Sequence, residues 1–409
     1  MRNDFRVNRA RLAARLDELA KVGAIPGGGV CRLALTDEDK AGRDLVSGWM
    51  RELGLTVTID AIGNVTGLRA GTADGPPVMT GSHIDTVATG GRYDGCLGVL
   101  AGLEVIATLN DAGFVTRRPV AVTFFTNEEG SRFQPDMFGS LVYSGRLPLD
   151  RALTTVTHDS VTVGQELSRI GYAGDAPVGQ PRAYAYVELH IEQGPVLEAE
   201  GFKIGAVESV QGISWTKFIL TGQSNHAGTT PMRMRRDAGY IAAEIAVFAR
   251  RLALEIGGNQ VATVGALTLS PNMVNVVANQ AVLTVDLRNT DNNRLHEAES
   301  RLFAFAAEIA SAEGVTLDQS SLARFEPVFF APNLVARVEA IAQEFGLPVK
   351  RMPSGAGHDA QMLAAVCPAC MIFVPSVNGI SHNVREYTST DDHTAGANVL
   401  LRLMLELSE

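Results

Sequence analysis

The chain has 409 residues, 46% hydrophobic and 20% charged, with a formal net charge of −10. This composition predicts an ordered protein of about two or three domains with a large core. The acidic balance, without a Lys/Arg-rich block, argues against a nucleic-acid partner. No apolar run reaches the roughly 18 residues of a membrane span, and four cysteines form no disulfide framework, which suggests a reducing compartment.

The first 26 residues are Arg-rich, but Asp4, Asp17 and Glu18 interrupt them, and organelle transit peptides are poor in acids. Leu12, Leu16 and Leu19 recur at helical spacing and predict an amphipathic helix. With no secretory apolar region, the reading is a cytoplasmic protein.

Next, Val78–Met79 leads into GSHIDT as a strand, about 97–109 reads as a helix, and PVAVTFFT (119–126) is a strand ending in Asn-Glu-Glu. A loop-rich stretch (150–182) precedes the strand and turn of AYAYVELHIEQG. Strands alternating with helices predict an α/β domain with a mostly parallel sheet. Near residue 210 the pattern changes to strand WTKFILTG, helix 236–255, strands 261–269 and 280–288, helix 291–313 and an extended segment 315–329. That βαββαβ order predicts a ferredoxin-like insert. The first pattern then resumes with a helix at 333–345, SGAGHDA, a further helix, the strand CMIFVPS and a C-terminal helix. The predicted division is 1–210 and 329–409 for the α/β domain and 211–328 for the insert.

Chemistry-bearing residues gather at strand ends. His83 and Asp85 follow the strand at 78–80, Glu128 and Glu129 follow 119–126, and His190 ends 184–189. Asp94 precedes a helix, and His382 lies in the loop after 371–375. Ligands of open α/β sheets bind beyond the carboxyl ends of the strands. Three imidazoles with carboxylates suit zinc or a similar divalent ion.

The segments GSHIDTVATGGRYDG, FTNEEGSRF, ELHIEQGPVLE, GQSNHAGTTPM, LTVDLRNTDN and SGAGHDA resemble the M20 metallopeptidase-like amidohydrolases, and more narrowly their hydantoinase/carbamoylase branch. The resemblance implies a two-metal hydrolase with His83, Asp94, Glu129, His190 and His382 as ligands and Asp94 as the bridge. The ions would be zinc, with manganese, cobalt or nickel as alternatives. It further implies Glu128 as the general base. Asp85 would accept a hydrogen bond from the His83 ring, and a cis peptide would follow Asp94. His226 would stabilise an oxyanion. Arg288 would anchor the carboxylate of a small-molecule substrate, and Gln193, Asn275 and Gly357 would add substrate contacts. The insert would serve as lid and dimerisation domain, closing about hinges near 210 and 330. In this family the partner's insert supplies the equivalents of His226 and Asn275 across a homodimer. The turn after Asn275, VVANQ, departs from the family's commoner Val-Ile-Pro-Gly.

The expected reaction is hydrolysis of an N-carbamoyl or N-acyl L-amino acid. Allantoate and ureidoglycolate are the alternatives. Trp215 stands where allantoate enzymes carry a substrate-contacting arginine, which argues against allantoate and makes Trp215 a candidate substrate contact. A true peptidase and an inactive substrate-binding homologue are the remaining readings. Cys367-Pro-Ala-Cys370 reads as packing, since no second pair accompanies it, and GAIPGGGV reads as a plain loop. His158 and His296 read as surface residues and His393 as a cap of the final helix. His358, beside the site, matches no metal ligand.

Overall fold

The computed structural model describes residues 5–157 and 159–409, so His158 lies outside the described residues. Thirteen strands carry the architecture among them: β1 (Thr56–Ile59), β2 (Val65–Arg69), β3 (Val78–His83), β4 (Val120–Phe125), β5 (Ala185–Ile191), β6 (Ile204–Val210), β7 (Gly212–Thr221), β8 (Val261–Ser270), β9 (Gln280–Asn289), β10 (Thr316–Phe325), β11 (Val328–Phe329), β12 (Val349–Ser354) and β13 (Ala369–Val374). The chain divides into two compact units, residues 1–208 with 329–409, and 209–328.

The first unit is built on a nine-stranded sheet in the order β1-β2-β4-β3-β5-β13-β6-β11, with β12 on β6. Its centre is parallel: β4 with β3, β3 with β5, and β5 with β13. VAVTFF, AYVELHI and ACMIFV are buried at every position. Near-continuous apolar strands are what a sheet covered on both faces requires. The helix Cys96–Asp111 is buried around most of its circumference. Parallel pairing points the carboxyl ends of β4, β3, β5 and β13 to one edge, and that edge carries the chemistry.

Two helices interrupt the stretch read as loop-rich. Leu149–Leu153 is one, and Val163–Ile170 is the other, opened by a reciprocal capping box between Thr162 and Gln165. A further helix, Asp37–Glu52, is capped by Thr36. His393 does not cap the final helix. Ser389 does, accepting from the Asp392 N–H, and His393 is buried inside Thr390–Leu407.

In the second unit, four antiparallel strands run in the order β10-β7-β9-β8. With helices Ala238–Ile256 and Asn292–Glu313 this is the ferredoxin-like topology. Phe218, Leu220, Leu283 and Val285 pack with Ile241, Ile245, Leu295 and Leu302 into one core. The alternate residues, among them Trp215, Asp286 and Arg288, lie on the opposite sheet face, as period-two side-chain direction demands. The cysteines are free, with Cys370 buried in β13. His296 is exposed and pairs with Glu299. No helix among the described residues is long and apolar enough to cross a membrane.

Candidate metal centre

Asp94 lies at the middle of the strand-end cluster, buried at 5% exposure. Its two oxygens face different partners. Oδ1 is 3.1 Å from His190 Nε2 and 3.6 Å from His83 Nε2. Oδ2 is 3.3 Å from His382 Nε2, which is itself 3.2 Å from Glu129 Oε2. Two ligand groups result, His83–Asp94–His190 and Asp94–Glu129–His382, with the donor atoms of each mutually within 4.8 Å. A tetrahedral ion with bonds of ~2.1 Å separates its donors by about 3.4 Å. The spacings here match that, and imidazole with carboxylate is a zinc-type donor set.

Backbone carbonyls orient the two buried imidazoles. His83 Nδ1 pairs with the carbonyl of Asp85 at 2.9 Å, and His190 Nδ1 with that of Ile191 at 2.8 Å. Nδ1 therefore holds the proton and Nε2 faces Asp94. The Asp85 carboxylate does not touch the His83 ring. It accepts instead from the backbone N–H groups of Glu128 and Glu129, each at 3.3 Å. The physical reason is reach: the carbonyl of residue 85 already fills the position beside Nδ1, and the β4 turn offers two unpaired donors.

Glu128 is buried, with Oε2 3.3 Å from His83 Nε2. Burial raises its pKa well above the carboxylate range, and Asp359, Glu129 and Asp94 add to the rise while His83 opposes it. Asp94 behaves oppositely: burial alone would raise it, but its contacts with His190, His382 and His83 hold it well below its usual value. His382 is raised to about 10 by hydrogen bonds to Asp94 and Glu129. Two neighbouring acids thus sit in contrasting fields, a pattern typical of reaction centres.

The peptide after Asp94 is not cis; the cis bonds among the described residues all precede proline. Gly95 turns the chain there at φ +62°, and a Cβ on it would lie 2.4 Å from the His83 ring. Glycine tolerates this positive φ without a Cβ clash, and the chain turns there through trans peptides.

Gln193 Nε2 donates to Asp94 Oδ2 at 2.8 Å. Gly357 packs against Met137, whose N–H donates to the Glu128 carbonyl. His358 is buried edge-on to the His190 ring, centroids 4.5 Å apart, and pairs with Ser354 Oγ. Two residues absent from the sequence reading also reach the centre. Glu386 accepts from the N–H groups of Tyr93 and Asp94, and Ser381 Oγ lies between Glu386 and Asp94. Nothing in the polar loop SHNVREY marks them, apart from their closeness to His382.

The other candidates belong to the second unit. Arg288 Nε and Nη2 engage Asp286 two residues earlier on β9, and its Cζ stands 6.0 Å from the centre of the Trp215 ring. His226 and Asn275 lie on paired loops, with Ala227 N–H donating to the Asn275 carbonyl. Those loops lead into the start of β9, where Gly222 N–H donates to the Asn279 carbonyl. Arg288 is near the other end of the strand. At about 3.3 Å per residue, Gln280 and Arg288 are roughly 26 Å apart. The structure therefore keeps Arg288 and the His226–Asn275 pair of one chain apart.

Comparison with known proteins agrees with the fold. The family model described as peptidase family M20/M25/M40 matches residues 79–406. An N-carbamoyl-L-amino-acid amidohydrolase of Rhizobium meliloti is 44% identical, over 99% of this chain and 97% of the relative. A ureidoglycolate hydrolase of Oryza sativa subsp. japonica is 35% identical, over 99% and 86%. A crystal structure of a hydantoinase/carbamoylase family amidase from Burkholderia multivorans superposes with a TM-score of 0.96 at 48% identity, covering 99% of this chain and 98% of that one. The parallel sheet and the inserted ferredoxin-like unit are thus those of peptidase family M20/M25/M40, to whose hydantoinase/carbamoylase amidases this chain belongs.

Proposed function

We propose that the chain hydrolyses the linear C–N bond of N-carbamoyl-L-amino acids, with two divalent ions held by His83, His190, Glu129 and His382 and bridged by Asp94. The carrying observation is the division of the Asp94 oxygens between two ligand groups with Glu128 beside them. Zinc suits the donors, and manganese, cobalt or nickel would fit the same set. Bound there, the ions supply Lewis acidity and lower the pKa of a coordinated water.

The chain's own residues do the remaining work. Glu128 accepts a proton from the attacking water and delivers it to the leaving nitrogen. Its raised pKa suits both halves of that exchange. Gln193 orients the substrate beside Asp94. Arg288 takes the substrate carboxylate through its guanidinium fork, aimed by Asp286.

His226 stabilises the oxyanion, with Asn275 beside it, in the site of a second subunit. The roughly 26 Å along β9 between those loops and Arg288 supports that arrangement, because no small substrate spans it. β8 supports a homodimer as well. It pairs only with β9 among the described residues and exposes Val261, Leu267 and Leu269. Helix Ala238–Ile256 exposes Tyr240, Val247 and Leu254 at heptad spacing. An open apolar edge of this kind favours pairing with a second copy.

The test is a substrate panel of N-carbamoyl amino acids, N-acetyl amino acids, allantoate and ureidoglycolate on chelator-stripped protein reloaded with Zn, Mn, Co or Ni. Turnover should be metal-dependent and fastest on N-carbamoyl amino acids. Faster turnover of ureidoglycolate or allantoate would move the chain to that specificity. No hydrolysis of any ureido or acyl substrate would leave a binding protein.

A further inference from the structure

We propose that Glu386 is a positioning residue that fastens the two metal-ligand loops to each other and thereby sets the aim of Asp94 as a bridge. This rests on the metal-centre reading above. Glu386 is 5% exposed and lies four residues beyond His382. Its Oε1 accepts from Tyr93 N–H at 2.9 Å and from Asp94 N–H at 3.1 Å, 292 positions away in the chain. Its Oε2 accepts from Ser381 Oγ at 3.0 Å, and that same hydroxyl lies 3.1 Å from Asp94 Oδ2. One carboxylate therefore holds the backbone of the loop carrying Asp94 with one oxygen and the loop carrying His382 with the other.

The seat for Glu386 is built into the first loop. A Cβ on Gly91 would fall 2.1 Å from Oε1 and 2.2 Å from Cδ of Glu386. Only a residue without a side chain leaves room for the carboxylate at that place. Hydrogen bonds from backbone N–H groups to a charged acceptor are short and strong. They act here on the peptide of Asp94 itself, so they govern the direction of both of its oxygens. Two-metal centres hold their ions ~3.5–4 Å apart. Asp94 would have to serve both ions at once, so the aim of its two oxygens would matter to each. Loss of such an outer hydrogen bond typically weakens metal binding 10–100-fold.

The experiment is Mn²⁺ titration of the chelator-stripped full-length chain, followed by binding stoichiometry, affinity and electron paramagnetic resonance. Wild type should bind two ions and give the spectrum of a magnetically coupled pair. Glu386→Gln should lose 10–100-fold in affinity for at least one ion and show uncoupled Mn²⁺. Gly91→Ala, which crowds Glu386 while leaving its carboxylate intact, should reproduce the defect. Ser381→Ala should show a weaker form of it. These two variants carry the test if Glu386→Gln fails to fold. A lower melting temperature of the metal-free variants with unchanged affinity and coupling would assign Glu386 to the fold alone and overturn the proposal. Wild type that binds no Mn²⁺ would overturn the metal-centre reading itself.

Discussion

The carboxylate of Asp85 accepts the backbone N–H of Glu128, and its other oxygen accepts that of Glu129. Asp85 thus holds the turn that presents the base and a ligand, while its own main-chain carbonyl orients His83. In Asp85→Asn one acceptor becomes a donor, so one N–H of the turn loses its partner. Turnover should fall about 10–100-fold, with the ion at His83 retained. Metal analysis and kcat on the same sample check this. Selective loss of the His83-side ion would return Asp85 to a ring-orienting role.

Glu128→Gln is near-isosteric and cannot take a proton. We expect kcat to fall ~10²–10⁴-fold with both ions bound and the melting temperature little changed. The acid limb of the pH–rate profile should vanish with it. Wild-type turnover at full metal occupancy would remove Glu128 from the mechanism.

Arg288 tests the substrate class. Arg288→Ala should lower kcat/KM by about two to three decades for a carboxylate substrate, and Arg288→Lys should remain impaired because it lacks the fork. The corresponding amide substrate should be poor for wild type and lose little further. Equal damage to both substrates would make Arg288 structural. Since Asp286 engages Nε and Nη2, Asp286→Asn should harm the carboxylate substrate selectively.

Subunit complementation tests the roughly 26 Å separation along β9. Inactive Glu128→Gln and His226→Ala proteins are mixed under conditions of proven subunit exchange. If His226 acts in the partner's site, a mixed dimer holds one intact site and one doubly defective site, and activity returns. No recovery would place His226 in its own chain's site.

His393 predicts acid lability. It is 2% exposed, and its Nδ1 has no hydrogen-bond partner. Burial lowers its pKa to about 4; Arg9 also lowers it, and Asp392, Asp17 and Asp391 oppose the shift. The unfolded chain takes up this proton first, near pH 6.5. Stability from the neutral ring is therefore complete above that pH and declines as pH falls toward 4. Between pH 7 and 4.5 the loss amounts to about 2–3 kcal/mol. His393→Phe should show a smaller difference between urea unfolding at those two pH values. An unchanged difference would place the acid-sensitive group elsewhere.

Local patterning made much of this legible in the sequence. The unbroken run of β4 and the period-two strands of the insert follow from which faces are buried, a property of near neighbours in the chain. Helix Val163–Ile170 departs from the loop-rich reading of that stretch: Thr162 and Gln165 carry its capping box, but a short helix among turn residues gives a weak periodic signal. His83, His190, Glu128 and Glu129 stand out in the sequence because they end apolar strands.

The sequence by itself determined which residue types stand at the carboxyl ends of the parallel strands, and therefore the kind of chemistry they perform. Only the tertiary structure decided which oxygen of Asp94 faces which imidazole, that Asp85 grips the Glu128–Glu129 turn rather than His83, and that Glu386 reaches the Asp94 peptide. It also set Arg288 and the His226 loop at opposite ends of β9. The reason is physical. Hydrophobic period and capping act over a few residues, whereas a hydrogen bond between positions 292 apart exists only once the sheet has brought two distant loops to one edge.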